Sequence, residues 1–154
     1  MPPLLPPLIT SEVFGGNWDN YVAGLYARFK EDLVDRQAMF RGKNIVLAEK
    51  DLVDGREKAF WHFISGGSED AAPNYRRCER IGFVKVLVEN PDHGEVRCWV
   101  RQQDQRVHIS TKDFDFVVVL KPRRTHVLLI TAYYVEEAYK RSRLRRAFEE
   151  ASKS

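Results

Sequence analysis

The chain is poor in the residues that build metal sites and disulfide frameworks. It has two cysteines, Cys78 and Cys98, in 154 residues. Neither has a His or Cys partner at metal-ligand spacing, so both are interpreted as small, mainly apolar residues. No GxxxxGKS/T loop, GxGxxG turn or HExxH helix is present, which argues against a nucleotide-dependent motor, a Rossmann oxidoreductase and a zinc hydrolase. We therefore expect neither a metal ion nor another cofactor.

Long apolar runs are also missing. No segment approaches the roughly 20 apolar residues that span a bilayer. The opening, MPPLLPPLIT, has neither the positively charged start nor the continuous apolar stretch of a signal peptide. These absences predict a cytoplasmic protein without a membrane partner.

The net charge is small, but positive charge is concentrated at one end. Residues 1–60 and 61–120 each hold 8 basic and 9 acidic residues, whereas 121–154 holds 9 basic and 4 acidic ones. Clustered Lys and Arg raise the local potential even when the net charge is only +3. This favours an anionic partner, with a solvated helix face as the alternative.

The length and periodicity indicate one domain, 17–154, behind a Pro-rich arm, 1–16. Apolar residues at helical spacing predict a helix over 17–38. Residues 43–48 fit a short strand or a buried turn. The apolar segment KAFWHFIS fits a strand or a short helix, and a loop, GGSEDAAP, follows from Gly66.

The second half changes from helical to strand periodicity. A helix is predicted over 74–89, then a hairpin that alternates apolar residues with arginines around Trp99. Two strands that are apolar on both faces follow, 114–120 and 126–132, and a basic helix covers about 135–151. The predicted fold class is α+β, with N-terminal helices, a four-stranded, mostly antiparallel sheet and a C-terminal basic helix.

His62 is the first candidate for chemistry. RNA cleavage without a metal needs a group that accepts the 2′-hydroxyl proton and another that protonates the leaving 5′-oxygen. An imidazole titrates in the required range. Since His62 lies between Trp61 and Phe63, a core histidine with a satisfied ring nitrogen is the alternative.

Two hydroxyls on one strand form the second candidate. Thr131 and Tyr133 point to the same side, because side chains alternate along a strand. They could bind a phosphate oxygen or orient the nucleophile. An ordinary packing pair is the alternative.

Arginines and a tryptophan are the candidate substrate-binding groups. Guanidinium groups match phosphate oxygens and stabilise charge that develops on phosphorus. The candidates are Arg76, Arg77, Arg80, Arg123 and Arg124. Arg123 and Arg124 could equally be solvated loop charges. Trp99 could stack an unpaired base or be covered by a neighbouring helix.

The order of these segments resembles a known superfamily. FWHFIS, YRRCERIGFVKVLVEN, a Trp-bearing hairpin, DFVVVL, KPRR, LLITAYY and a basic helix follow one another over about 58–150. This order is similar to that of the barnase–EndoU–colicin–RelE-like small ribonucleases, in particular their prophage-associated and polymorphic-toxin branches. The final strand, LLITAYY, carries most of the resemblance.

The resemblance implies a helix followed by a four-stranded sheet, and metal-independent cleavage of RNA to a 2′,3′-cyclic phosphate. It also implies a toxin paired with an immunity protein or antitoxin. His62 would be the acid–base group, Arg77 or Arg80 together with Arg124 would bind phosphate, and Thr131 and Tyr133 would line the floor of the site.

Three functions follow as hypotheses. The first is a toxin-like or phage-related endoribonuclease, with His62, Arg80, Thr131 and Tyr133 as its catalytic residues. The second is a non-catalytic RNA-binding module on the same fold, whose RNA affinity would be salt-sensitive. The third is a protein-interaction factor whose basic helix packs on an acidic partner.

Overall fold

The computed structural model describes residues 3–65 and 73–153. The loop predicted to begin at Gly66 therefore lies almost entirely outside the described residues. The helices are α1 (Trp18–Lys30), α2 (Lys58–Ser65), α3 (Tyr75–Glu79), α4 (Phe83–Glu89) and α5 (Ala138–Ser152). The strands are β1 (Met39–Phe40), β2 (Lys43–Leu47), β3 (Leu52–Val53), β4 (Arg56–Glu57), β5 (Val96–Arg101), β6 (Arg106–Thr111), β7 (Phe116–Pro122) and β8 (His126–Tyr134).

The first predicted helix is confirmed, and the arm before it is held against the body of the protein. Asn17 caps α1 by accepting a hydrogen bond from the Asn20 amide at 3.0 Å. A π-helical turn, Glu31–Asp35, continues α1. In the arm, the carbonyl of Ile9 accepts a 2.6 Å hydrogen bond from the Tyr21 hydroxyl. This bond and the burial of Tyr21 anchor the arm to α1.

The predicted α+β class is confirmed, but the predicted four-stranded sheet is wrong. The main sheet has six strands in the order β1-β2-β8-β7-β6-β5, and β3 and β4 form a separate hairpin. The expected antiparallel series β5 to β8 is present, and β2 pairs with β8 in parallel. A pairing between segments about 80 residues apart leaves no local periodicity, so sequence patterns do not indicate it.

The arrangement of the helices also differs from the prediction. Residues 74–89 form two short helices, α3 and α4, separated by a turn from Arg80 to Gly82. A Cβ at Gly82 would lie 3.1 Å from the Arg28 guanidinium, so α1 approaches the chain closely at this turn. The ambiguous segment KAFWHFIS is a helix, α2.

The two faces of the sheet are covered by different helices. One face, called here the core face, packs with α1 to α4 around buried residues such as Phe29, Ile109 and Val118. The opposite face, called here the α5 face, carries Val117 and Val119, against which Leu144 of α5 packs. The alternation of side chains along β7 places neighbouring valines on opposite faces. None of the helices within the described residues combines the length and apolar character that spanning a bilayer requires.

Candidate functional site

The candidate site lies along the second half of β8, where this strand loses one neighbour. β2 ends at Leu47, opposite Leu129, so the rest of β8 has no strand on that side. One residue further, Ile130 is an extra residue in β8, because Leu120 pairs with Leu129 and Val119 with Thr131. Bulges of this kind redirect side chains and often lie beside functional sites. Here the bulge directly precedes the predicted Thr131 and Tyr133.

Arg77 occupies the open edge of β8 and joins it to α2. Its Nη1 atom donates hydrogen bonds to the carbonyls of His62 at 3.2 Å and Ala132 at 3.3 Å. Its guanidinium carbon lies 5.8 Å from the centre of the Tyr133 ring. Burial lowers the pKa of Arg77, although a guanidinium remains charged at neutral pH. A partly desolvated cation is therefore fixed between the His62 backbone and Tyr133.

Tyr133 is a half-buried phenol among positive charges. Burial raises its pKa, although Arg101, Arg77 and Lys140 lie close enough to lower it. The raised pKa keeps the hydroxyl protonated at neutral pH, where it can donate a hydrogen bond. Thr131 is half-buried two residues earlier on the same strand. The site thus combines hydroxyl groups with cations from α3, β5 and α5.

His62 is half-buried on α2, with its ring beside a carboxylate. Its Nδ1 atom lies 3.3 Å from Glu49 Oε2, and the two side chains are 29% and 39% exposed. This separation is that of an ion pair but lacks hydrogen-bond geometry, since Glu49 Oε2 has no hydrogen-bond partner within the described residues. With Nδ1 turned toward Glu49, Nε2 is the nitrogen left to exchange a proton with a substrate.

Arg80 and Arg76 lie outside this group. The Arg80 guanidinium stacks on the Tyr134 ring at 4.6 Å, and its Nη1 atom donates to the Arg76 carbonyl at 3.0 Å. Tyr134 packs against the core, so Arg80 is separated from Tyr133, which packs on the α5 face. The Arg76 side chain is 59% exposed and lies 4.0 Å from Glu79. Of the three arginines near α3, the structure brings only Arg77 to Tyr133.

The other predicted substrate-binding residues also lie away from the site. Arg123 and Arg124 are exposed in the turn before β8, whose nine residues extend about 25 Å at ~3.3 Å per residue. They are therefore at the opposite end of that strand from Tyr133. Trp99 is only 5% exposed, because Phe148 of α5 packs on it at 6.0 Å. Trp99 is therefore covered by a helix, which was the alternative to base stacking in the sequence analysis.

Several charged neighbours of the site were not found from the sequence. Glu49 follows β2, and the Ala59 amide at the start of α2 donates a 3.4 Å hydrogen bond to its carbonyl, which brings the Glu49 carboxylate beside the His62 ring. Arg101, on the edge strand β5, and Lys140, in the first turn of α5, act on the pKa of Tyr133 through their charges. No spacing along the chain links these residues. The alternation of arginines in the hairpin was the one available signal, and it included Arg101.

Comparisons with known proteins found no similar protein. No protein-family model matches the chain, and no curated protein or solved structure is significantly similar to it. Among residues 3–65 and 73–153, no group of three or more His, Cys, Asp and Glu side chains is placed to hold a metal ion. The resemblance to the barnase–EndoU–colicin–RelE-like superfamily therefore stays a prediction.

Proposed function

We propose that this chain is a small endoribonuclease that cleaves RNA through attack of a 2′-hydroxyl, without a metal, leaving a 2′,3′-cyclic phosphate. One observation carries the proposal. A single guanidinium, that of Arg77, bonds the helix that holds His62 and the strand that holds Tyr133. α2 lies on the core face and Tyr133 packs on the α5 face, so the two groups would meet one phosphate across the open edge of β8, where Arg77 lies. An imidazole, a protonated phenol and a fixed cation are the groups that this reaction uses.

The reaction needs only the side chains of the site and water. The His62 imidazole accepts the proton of the 2′-hydroxyl as the 2′-oxygen bonds to phosphorus. Glu49, beside Nδ1 at 3.3 Å, stabilises the resulting imidazolium. The bond from phosphorus to the 5′-oxygen breaks, and the Tyr133 hydroxyl supplies the proton to that oxygen. Solvent water then carries the proton from His62 back to the Tyr133 phenolate, which restores the starting state. Arg77 stabilises the negative charge that builds up on the phosphate oxygens.

A non-catalytic RNA-binding module is the second candidate. The observation that favours it is the exposed basic surface of α5, which includes Lys140, Arg143, Arg145 and Arg146. Such a surface binds phosphates without cleaving them.

An endoribonuclease with the proposed metal-free mechanism fits a toxin-like or phage-related effector, for which an immunity protein or antitoxin is the expected protein partner.

The test is incubation of the purified protein with total RNA in EDTA, followed by mapping of fragment ends. We expect discrete cuts that end in cyclic phosphates, and a fall in rate of about 10²- to 10⁴-fold in His62→Ala, the range for loss of a general acid–base group. His126→Ala is the matched control, since His126 lies at the other end of β8, and it should cleave like wild type.

Two results would contradict the proposal. RNA that stays intact at protein concentrations where it is bound would favour the binding module. Equal cleavage by wild type and His62→Ala would remove His62 from the chemistry.

A further inference from the structure

A pair of exposed aromatic rings lies where α3 meets the start of α1. Trp18 is 37% exposed and Tyr75 is 54% exposed. Their rings meet edge to face, with centroids 5.8 Å apart. On its other contact, Tyr75 stacks nearly parallel to the fully buried Tyr21 at 6.4 Å. The pair is thus mounted on a rigid core residue, although much of its own surface faces solvent.

The surroundings of this pair favour an anionic, ring-containing ligand. Tyr75 is the first residue of α3, and Arg76 follows it with a side chain that is 59% exposed. Arg77, the cation of the candidate site, is only two residues from Tyr75. Consecutive Cα atoms are about 3.8 Å apart, so the Tyr75 and Arg77 backbones lie within about 8 Å, although their side chains leave α3 in different directions. Exposed aromatic rings beside arginines are the groups that bind unpaired nucleotides in RNA-binding proteins.

We propose that Trp18 and Tyr75 form a stacking platform for an unpaired base of the RNA substrate, with the exposed Arg76 contacting the adjoining backbone, on the same helix as Arg77. The inference rests on the proposed function for its ligand. It adds that the substrate is single-stranded at this position. Folding of the chain does not require this exposure, because burial of Tyr21 and Phe29 already holds α1 in place.

The experiment measures binding of the full chain to 2′-O-methyl RNA 12-mers, which have no 2′-hydroxyl to attack. One series carries all its bases, and a second carries one abasic position moved stepwise along the oligonucleotide. Because stacking contributes about 1–3 kcal/mol per base, wild type should lose roughly fivefold or more in affinity for one abasic register. A base stacked on Trp18 should quench tryptophan fluorescence, and this quenching should be lost with the oligonucleotide that is abasic in that register.

Variants separate stacking from charge and from folding. Tyr75→Ala should bind roughly fivefold or more weakly, lose its preference between intact and abasic oligonucleotides, and keep the salt dependence of wild type, since no charge is removed. Tyr75→Phe should restore binding. Arg76→Gln should lower the slope of log K against log salt by about one. Leu52→Ala, which shortens a 65% exposed side chain on β3, is the control and should bind normally.

The outcomes distinguish this inference from the proposed function. If Tyr75→Ala binds both oligonucleotide series like wild type, the platform is refuted, even if RNA is cleaved. If wild type shows the abasic penalty but never cleaves RNA, the platform stands and the nuclease fails. Tight binding of a protein partner to Trp18 and Tyr75, with no abasic penalty, would also overturn the inference.

Discussion

His108 offers the sharpest test of the packing on the α5 face. It is 6% exposed on β6, and its ring stacks on Trp99 with centroids 5.3 Å apart. Its Nδ1 atom is buried and has no hydrogen-bond partner within the described residues. Burial lowers the pKa of His108, and the nearby Arg101 lowers it further. A neutral, partly unsatisfied imidazole is therefore held inside the structure.

The lowered pKa of His108 determines how the free energy of unfolding changes with pH. Above about pH 6.5 the imidazole is neutral in both the folded and the unfolded chain, so His108 adds no pH dependence. Below that pH the unfolded chain takes up a proton that the folded chain refuses. Stability falls until the pH reaches the folded pKa, by up to about 1.4 kcal/mol for each pH unit.

We predict that His108→Phe removes this loss. Phenylalanine keeps an aromatic ring against Trp99 and eliminates a buried nitrogen without a partner, which costs about 1–3 kcal/mol. The variant should therefore equal or exceed wild type in stability at pH 7.5. Its advantage should grow steadily as the pH falls below about 6.5.

Urea unfolding at several pH values between 8 and 5 measures the difference in free energy between variant and wild type. Val119→Ala is the control, since Val119 is buried on the same face of the sheet and its side chain carries no titratable group. Its difference from wild type should not change over the same range. If the His108→Phe difference is also constant with pH, or if the variant is less stable by more than about 1 kcal/mol at pH 7.5, the reasoning is refuted.

Two further substitutions test contacts that position the site. Arg77→Met should lower the free energy of unfolding by about 1–3 kcal/mol, because two backbone carbonyls lose their donor. The control, Arg76→Met, changes an exposed side chain and should alter the free energy of unfolding by less than about 0.5 kcal/mol. Equal losses for the two variants in urea unfolding would contradict this role of Arg77. The hydrogen bond to Glu57 raises the pKa of Tyr26 to about 12. Tyr26→Phe should therefore be less stable than wild type by about 1 kcal/mol below pH 10, and the gap should close between pH 10 and 12. A gap that persists at pH 12 in thermal or urea unfolding would count against it.

Much of the secondary structure could be predicted from the sequence, because local periodicity reports which side of an element is buried. The apolar stripe of α1 and the alternation along β5 and β6 are examples. α1 and its π-helical turn end at Asp35, against a predicted end at 38, and the predicted hairpin is present as β5 and β6. The break between α3 and α4 near Gly82 was not predicted, and the choice between strand and helix for α2 was left open. A short apolar run fits either a strand or a helix, and packing decides between them.

The candidate site was predicted in part. His62, Arg77, Thr131 and Tyr133 were singled out as residue types, and the structure places Arg77 against both the His62 backbone and the Tyr133 ring. The partner of the His62 ring, a carboxylate 13 residues earlier, was not found. The sequence interpretation chose Arg80 as the catalytic arginine, whereas the structure brings Arg77 to Tyr133 and Arg80 to Tyr134. Sequence alone does not show this, since the side chains of a short helix point in different directions.

The sequence by itself determined the α+β class, the amphipathic first helix, the hairpin, the basic last helix and the residue types available for chemistry. All of these depend on local composition and period. Only the tertiary structure decided that β2 pairs with β8 in parallel and that α5 covers Trp99. It also decided that Arg77 binds the edge of β8 that is left open after β2 ends at Leu47. These outcomes come from contacts between distant segments, which form because buried backbone groups need partners and apolar surfaces need cover.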